Sequence, residues 1–402
     1  MKVPRVEEFS RDTSQEDRNR IIQDSGQWQI VLGTSMVDSA LTFPSVKAVI
    51  DPGICRVSVL EGGVAGLRDV VASQATCTQR RGRAGRTCHG TVYRIFGKRL
   101  FETFPLHPSP EVQRADLGDL MLGIFCSGRK FLADLELMDP PGVTETLPML
   151  EGLRELGMMN DRGTVSAAGF RAEATRQGYR VSAILNHAQK DGLINEIIGV
   201  VALLEVMQNR LFRIPNGNAN DGSSNRESEL RDVLIQHVGH RHGLSDVGML
   251  YEIAKRLVYG QEAESVANLK NECGRMHVSY SIIRKARDAA MKLMTDHNRN
   301  DGSYPKVCSE DTLLPELSPR LQSKLESLVM QGFLDRCGTE PDGWGRYRLE
   351  QYHVDVVPAY HSQLSLQSSL LAKFERYCFI QLRRVRHGRV VGMGFPCPPE
   401  PI

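Results

Sequence analysis

The sequence lacks several features that would assign it to a special class of protein. None of its nine cysteines falls in a CxxC pair or shows a regular spacing, which argues against a zinc site and against a disulfide framework. No apolar run reaches the ~20 residues of a membrane-spanning helix, and the polar, acid-containing amino terminus is unlike a signal peptide. These absences predict an intracellular protein, nuclear or cytoplasmic, with no metal site and no membrane contact.

An excess of one charge is also missing. The 402 residues carry a net charge of +2, and charged residues make up 24% of the chain. No global basic field therefore indicates a nucleic-acid partner, and any such interface must be a local patch. A chain of this length is too long for one ordinary core, so about two to four domains are expected.

The first hundred residues predict part of an α/β domain. Short runs rich in β-branched residues at 29–33 and 46–50 are typical of buried parallel strands. A glycine turn between two apolar segments predicts a hairpin over 55–71, and 90–96 predicts a further strand. No strand is predicted before residue 28, so the sheet is expected to be incomplete.

Beyond about residue 110 the pattern becomes mostly helical. Apolar periodicity predicts helices at 111–125, 140–159, 194–207, 245–258 and 279–294. TVSAAG at 164–169 predicts a strand after the second of these helices, an order that suits a winged helix. The segment from about 318 onward mixes one helix with short strands and predicts a small β-barrel.

The strongest chemical signal is Gln79-Arg80-Arg81-Gly82-Arg83-Ala84-Gly85-Arg86, called the octet below. Phosphoryl transfer spreads negative charge over phosphate oxygens, which planar guanidinium groups meet bidentately. Arg83 and Arg86 are three apart, so we expect them to share one face of a helical turn. The two glycines remove side chains and allow a close backbone approach, and Gln79 could orient a water. A basic surface loop is the alternative.

The octet matches helicase motif VI, and GTSMVDSALTFPSVKAVIDPG at 33–53 resembles motif V of the DEAH-box RNA helicases of superfamily 2. The likeness continues in the same order through PEVQRADLGDLMLGI and DPPGVTETLPMLEGLRELGMMNDRGTVSAAG, and through the segments that follow. The chain thus resembles the C-terminal half of such a helicase, a multidomain protein with α/β, α and β parts. The resemblance implies a partial second RecA-like domain at 1–104, a winged helix at 105–172, a helical ratchet domain at 173–298 and an OB-fold at 318–402.

The resemblance also implies roles at a nucleotide. Arg83 and Arg86 would be arginine fingers, and Gln79 would contact the γ-phosphate or a water. Gly82 and Thr42 would lie against the nucleotide. The threonine hydroxyl could instead satisfy the local backbone, and that alternative stays open.

Four regions are implied to face RNA. Thr34 in motif V would contact RNA phosphates, with the same local alternative as Thr42. The hairpin at 55–71 would face an RNA strand, and Arg284 in the basic run 284–287 would line the RNA path, unless that helix face is merely solvated. In the OB-fold, Arg383 and its neighbours would follow a phosphate backbone while aromatic side chains stack bases. That set comprises Arg376, Arg383, Arg384, Arg386 and Arg389, interleaved with Tyr377 and Phe379.

The sequence departs from the family in three ways. Nothing resembles the P-loop GxxxxGK[ST], and no DEAH-like acidic motif follows a strand, although these elements hold the phosphates and the metal. Motif V is altered, with Ser35 for the usual Asn, Ala40 for a Ser and Pro44 for an Asp. Val247 replaces the His of the ratchet helix.

Two functions remain open. The resemblance implies an ATP-dependent RNA helicase that translocates 3′ to 5′, of which this chain is the C-terminal portion. Its partner would be RNA. It would use ATP with Mg²⁺ only if a first RecA-like domain is supplied upstream or in trans. Alone the chain is expected not to hydrolyse ATP, and a glycine-rich activator protein is a further conceivable partner. The alternative is a non-catalytic RNA-binding or scaffold protein derived from such a helicase. Position 1 is expected to lie inside the second RecA-like domain, so either the chain is a piece of a longer protein or another chain completes that domain.

Overall fold

In a computed structural model, which describes most of the residues, the chain forms two compact units. Residues 1–59 with 67–115 make the first unit, and residues 60–66 with 116–402 make the second. The described residues are 4–10, 13, 15–23, 28–38, 43–44, 46–61, 64–129, 135–207, 211–212, 245–260, 265–299, 314–339, 346–349, 354–358, 376–384 and 390–397.

The first unit has an α/β architecture built on two pairs of parallel strands. β1 (Arg5–Phe9) pairs with β2 (Gln29–Gly33), and β3 (Ala48–Asp51) pairs with β6 (Thr91–Arg94). Its helices are α1 (Gln15–Ile22), α2 (Gln74–Arg81) and α3 (Lys98–Glu102). The strands predicted at 29–33, 46–50 and 90–96 are thereby confirmed. The predicted hairpin is confirmed as well, as β4 (Ile54–Glu61) paired with β5 (Val64–Val71).

The strand β1 corrects the expectation that none precedes residue 28. It pairs with β2 from Arg5 opposite Gln29 to Phe9 opposite Gly33, and α1 forms the crossover between them, as a parallel pair requires. The segment RVEEF has only two apolar residues. Phe9 is fully buried while Val6 is 59% exposed. Because the other three residues are charged, the segment does not show the hydrophobicity pattern of a strand.

The described helices of the second unit are α4 (Gly118–Cys126), α5 (Val143–Glu155), α6 (Ala167–Thr175), α7 (Tyr179–Lys190), α8 (Ile194–Met207), α9 (Asp246–Ile253), α10 (Val266–Arg275), α11 (Tyr280–Arg299) and α12 (Pro319–Met330). Those from α7 to α12 contribute buried residues to one large apolar core. α9 continues into a π-helical turn at Ala254–Val258. α8 is apolar on most faces, as predicted, and accordingly supplies eight buried residues to the core.

The strand predicted at TVSAAG is reduced to a single bridge. Val165 pairs with Met159 alone. The neighbouring Ser166 caps α6, because its hydroxyl accepts a hydrogen bond from the Gly169 amide at 3.1 Å. A serine in that position favours the start of a helix over the continuation of a strand.

Five strands near the carboxyl end close into a ring. β7 (Cys337–Thr339), β8 (Tyr347–Leu349), β9 (Val354–Pro358), β11 (Val390–Pro396) and β10 (Arg376–Arg384) follow one another in that order, and β10 pairs again with β7. Each strand therefore has two partners within the ring, and the predicted small barrel is confirmed as an architecture.

The barrel corrects the prediction that Tyr377 and Phe379 stack bases. Both rings are fully buried, with their centroids 5.0 Å apart. Tyr347 lies 5.2 Å from Tyr377 and 5.7 Å from Phe379. These aromatic side chains fill the barrel interior, so none of the three presents a face to a ligand.

Helices long and apolar enough to cross a membrane do not occur in the part of the chain that the structure describes.

Candidate arginine site of the first unit

The octet begins on α2 and continues past its end. The Ser73 hydroxyl caps the helix by accepting a hydrogen bond from the Thr76 amide at 3.0 Å. The last helical residue is Arg81, and Gly82 follows as the C-cap. Gly85 has a φ of +77°, in the left-handed region that only glycine adopts readily.

Arg83 and Arg86 therefore lie in a turn and do not share a helix face, contrary to the expectation from their spacing. The turn packs tightly against the residue that leads into β6. A Cβ atom at Gly90 would lie 2.6 Å from the Gly85 amide nitrogen and 2.8 Å from the Ala84 side chain. This close approach fixes the path of the turn.

Arg80, the second residue of the octet, is the anchor of the site. Its Nε lies 3.2 Å from both carboxylate oxygens of Asp38, and its Nη1 lies 2.8 Å from Asp51 Oδ1. It also donates to the Ile54 carbonyl and to the Cys55 sulfur, each at 3.2 Å. The side chains of Arg80 and Asp38 are 12% and 14% exposed, and Asp51 is fully buried. A planar guanidinium thus joins three separate segments of the chain to α2.

The two carboxylates respond differently to this arrangement. Burial raises the pKa of Asp38, and the Arg80 guanidinium only partly offsets that effect. Burial also acts to raise the pKa of Asp51, but hydrogen bonds from the Gly53 amide, at 3.0 Å, and from Arg80 outweigh it and lower that pKa. Burial disfavours the charge on Arg80, yet Asp51 and Asp38 outweigh it and raise the pKa of Arg80. The arginine is therefore charged at neutral pH.

Arg83 and Arg86 make different contacts from Arg80. Arg83 is partly buried and donates from Nη2 to the backbone carbonyl of Asp38. Arg86 is exposed and donates from Nε to the Gly82 carbonyl at 3.2 Å. Gln79 is exposed on the last turn of α2. Gly82 uses its own amide for the Thr78 carbonyl, at 3.0 Å, so its contribution to a ligand would come from its missing side chain.

The predicted RNA-facing residue Thr34 lies beside this site. It follows the last residue of β2 and is exposed, and its amide donates to the Phe9 carbonyl at 3.1 Å. Its carbonyl accepts from the Val37 amide at 3.0 Å and so starts the 3₁₀ turn Ser35–Asp38. Thr42, the predicted nucleotide contact, lies outside the described residues.

The remaining predicted residues belong to the second unit. Arg284 and Lys285 are exposed on α11, opposite the buried Ile283 and Ala286. Arg287 of the same basic run turns inward, where its Nε donates to the Leu257 carbonyl at 2.8 Å and burial lowers its pKa. The backbone of Arg383 lies in β10 opposite Val391, whereas its side chain lies outside the described part.

Asp38 and Asp51 were not singled out by the sequence patterns. Both are isolated acids, 42 and 29 residues from Arg80 in the chain. The one available signal was the pair of adjacent arginines at 80 and 81. Adjacent residues of a helix point in different directions, so on a helix that packs by one face the two arginines should differ in burial. Such a pattern indicates that one arginine points inward without naming its partner.

The site fits part of a bound nucleotide with magnesium. The guanidinium groups of the octet suit phosphate oxygens. The described ranges contain no group of three or more His, Cys, Asp or Glu placed to hold a metal ion, and the acids nearest the octet are both bonded to Arg80. The residues that the structure describes can therefore line the phosphate side of such a site, and among them no set of metal ligands is present.

Comparison with known proteins finds a helicase family model that matches most of the first unit. Residues 3–88, which include β1, motif V and the octet, match the family model of the helicase conserved C-terminal domain. A probable ATP-dependent RNA helicase, DHR2 of Saccharomyces cerevisiae, is 26% identical over 317 residues, covering 76% of this chain and 41% of the relative. The splicing factor ATP-dependent RNA helicase prp22 of Schizosaccharomyces pombe is 29% identical over 184 residues, covering 45% of this chain and 16% of the relative.

A solved structure extends the likeness to nearly the whole chain. The E. coli DExH-box NTPase HrpB superposes with a TM-score of 0.65 over 97% of this chain and 38% of its own, at 19% identity. The chain thus spans less than half the length of these proteins. At that identity the superposition shows a shared fold. Residues 3–88 therefore match a helicase conserved C-terminal domain, and the chain is similar to the C-terminal half of the DEAH-box ATP-dependent RNA helicases.

Proposed function

We propose that the chain is the C-terminal portion of an ATP-dependent RNA helicase of the DEAH type, in which the octet supplies two arginines to a bound nucleotide. One observation carries the proposal. Arg80 is locked between two carboxylates, while Arg83 and Arg86 extend from the same turn and donate to backbone carbonyls. The site thus separates an anchoring arginine from two arginines suited to an incoming anion.

The two outer arginines would act on the transferred phosphoryl group. Charge on the γ-phosphate oxygens grows in the transition state, and a guanidinium placed there stabilises it. A hydrogen bond from Arg83 or Arg86 to a phosphate oxygen would join two charged groups and would therefore be stronger than one to a neutral carbonyl. Gln79, exposed on the preceding helical turn, would contact the γ-phosphate or orient the attacking water. Gly82 and Thr42 would border the nucleotide.

ATP hydrolysis would need the other half of the ATP-binding site. The P-loop and the acidic motif that hold the phosphates and Mg²⁺ are absent from the 402 residues, so the chain by itself would be inactive. A first RecA-like domain, upstream or in trans, would supply them. Exposed apolar side chains on the parallel strands support such packing, since parallel sheets are normally covered on both faces. They include Ile30, Leu32, Ile50 and Tyr93, with exposures of 45, 55, 67 and 59%.

RNA would be held by both units and moved 3′ to 5′. Thr34 and the hairpin of β4 and β5 would face the strand in the first unit, a partial second RecA-like domain at 1–104. The Arg56–Asp69 ion pair, with hydrogen bonds of 2.7 and 2.8 Å, ties the two hairpin strands together. In the second unit, Arg284 on α11 and Arg383 on β10 would contact the phosphate backbone.

The architecture of the second unit supports the proposed division into domains. The helices α4, α5 and α6 with the Met159–Val165 bridge suit a winged helix at 105–172. The helices from α7 to α11 suit a ratchet bundle at 173–298, and the closed ring of five strands suits an OB-fold at 318–402. A glycine-rich activator protein would dock on that barrel, and the complex would work inside the nucleus or the cytoplasm.

A second candidate is a non-catalytic RNA-binding or scaffold protein derived from such a helicase. The altered motif V favours it. Pro44 stands where an acid is usual in the family, and its carbonyl accepts a hydrogen bond from the Thr87 hydroxyl just after the octet. A proline offers the nucleotide no side-chain hydrogen bond.

The two candidates separate in one pair of assays on the purified chain. Binding of a fluorescent single-stranded RNA should weaken as salt rises, because each neutralised phosphate releases counterions. RNA-stimulated ATP turnover should be absent for the chain alone and appear when a first RecA-like domain with a P-loop is added. Salt-dependent RNA binding with no turnover in either case would leave the non-catalytic candidate. Absence of RNA binding would contradict both.

A further inference from the structure

We infer that Arg80 is a positioning residue that couples the turn after β2 to the octet, so that the RNA-facing and nucleotide-facing segments move as one body. Asp38 is the residue of the turn that bonds to the octet. The consequence for catalysis rests on the proposed function, whereas the mechanical link is a property of the chain alone.

The link passes through both ends of Asp38. Its carboxylate accepts two hydrogen bonds from Arg80, and its backbone carbonyl accepts one from Arg83. The 3₁₀ turn that contains Asp38 starts at Thr34, which is itself bonded to Phe9 at the end of β1. A displacement of Thr34 would therefore reach Arg83 through one short turn.

The fork shape of Arg80 is what makes the coupling rigid. The guanidinium reaches Asp38 with Nε, Asp51 with Nη1 and Cys55 with Nη2. One planar guanidinium thus binds the 3₁₀ turn, the end of β3 and the start of β4. A lysine carries its three N–H donors on a single nitrogen at the end of a flexible stem, so it cannot place donors at the three separate positions that the guanidinium nitrogens occupy. Arg80→Lys would keep the charge and lose the fixed geometry.

Helix α2 has anchors that do not depend on Arg80. Ser73 caps its first turn, and Gln74 donates its amide to the Pro105 carbonyl at 2.8 Å and its side chain to the Phe104 carbonyl at 3.1 Å. Cys77 is fully buried. The helix should therefore survive Arg80→Lys, which separates a loss of positioning from a loss of folding.

Arg81 provides a matched control. It is the next residue on the same helix and has the same charge, but it is exposed. Arg81→Lys changes the same functional group at the adjacent position without touching the cluster.

Hydrogen exchange of the chain alone, read by mass spectrometry without RNA or nucleotide, tests the link. In Arg80→Lys the amides of Val37 and of Arg83 and Ala84, which are bonded in the two turns, should exchange faster together, by roughly tenfold. The first turn of α2 should exchange as in the wild type, and Arg81→Lys should change nothing. Unchanged exchange at Val37, or faster exchange spread through α2, would overturn the inference. If Arg80→Lys does not fold, Asp38→Asn is measured with the same expected and overturning results.

The turnover assay with an added P-loop domain adds a readout that a purely structural role would not move. Arg80→Lys should lower kcat at least tenfold with the KM for ATP unchanged, as expected when only transition-state geometry is lost. Equal kcat for Arg80→Lys and Arg81→Lys would contradict the positioning role. If the wild-type mixture shows no turnover, the proposed catalysis fails while the exchange result still decides whether the link exists.

Discussion

Two partly buried arginines, one in each unit, use the same chemistry in different surroundings. Arg180 on α7 makes two hydrogen bonds of 2.6 Å to the carboxylate of Asp335 and one of 3.0 Å to the Gly332 carbonyl. Its guanidinium also lies 5.5 Å from the centre of the Phe333 ring. Arg80 makes five hydrogen bonds, which go to four residues in three segments of the chain.

The surroundings explain what each arginine does. Arg180 belongs to α7, which packs against the large core of the second unit through residues such as Ile184. Among the described residues, the buried apolar cluster beside Arg80 comprises Ala72, Cys77 and Phe104, with Cys55, Phe96 and Phe101 packed against it. The comparison indicates that Arg180 adds to packing that exists without it. Arg80 instead fixes geometry beside a small apolar cluster.

Removing Arg180 should have the largest effect on stability. Arg180→Ala leaves Asp335, whose side chain is 1% exposed, as a buried charge without its partner, so we expect the second unit to lose about 3–5 kcal/mol. Urea unfolding followed by circular dichroism measures this loss. Arg162→Ala, at an exposed turn, is the control and should lower the free energy of unfolding by less than about 0.5 kcal/mol. A loss below about 1 kcal/mol for Arg180→Ala would remove the contrast with Arg80.

The two acids of the Arg80 cluster should differ in a way that pH reveals. The pKa of Asp51 is lowered by folding, so its stabilisation is present above the unfolded pKa, about 3.9, and is lost as pH falls through the lower folded value. The pKa of Asp38 is raised, so its ionised form opposes folding, and stability is lost as pH rises through the folded value. Asp51→Asn should therefore cost roughly 1–3 kcal/mol at neutral pH and flatten the acid limb.

Asp38→Asn should cost less stability than Asp51→Asn under the same conditions, because it removes an ionisation that burial disfavours. Unfolding in urea at several pH values between about 3 and 7 covers both windows. A greater loss for Asp38→Asn than for Asp51→Asn at neutral pH would show that Asp38 is the main partner of Arg80. The roles assigned to the two acids would then be exchanged.

The smallest expected effect concerns RNA affinity in the second unit. Arg284→Ala should weaken binding of single-stranded RNA by less than about tenfold and lower the salt slope by about one. Fluorescence anisotropy at several salt concentrations measures both. Arg275→Ala is the control, since that guanidinium is paired with Glu272 at 2.8 Å. Equal losses for the two variants would mean that α11 contributes general charge and no particular contact.

Much of the framework followed from local patterns. The hairpin, the strands of motif V and the buried helix α8 have periodicities that one segment of chain carries by itself. The octet was recognisable for the same reason, since its residue types are contiguous. Strand β1 escaped because Glu7 and Glu8 interrupt its apolar pattern.

The contacts that give the site its shape did not follow from the sequence. The bonds of Arg80 to Asp38 and Asp51 join segments whose proximity is a result of the fold. Tyr377 and Arg287 were assigned to ligand surfaces because of their residue type, yet both side chains turn inward. Residue type indicates which chemistry is available, and only the packed structure shows which side chains are presented.

ATP turnover by the chain mixed with a P-loop-bearing RecA-like domain and RNA tests the central claim most directly when Arg83 and Arg86 are replaced one at a time. We expect Arg83→Ala and Arg86→Ala each to lower kcat by ~10³ to 10⁵, about 4 to 7 kcal/mol in activation free energy, while RNA binding stays close to that of the wild type. Turnover that persists within about tenfold in both variants would contradict the assignment of these arginines to the nucleotide.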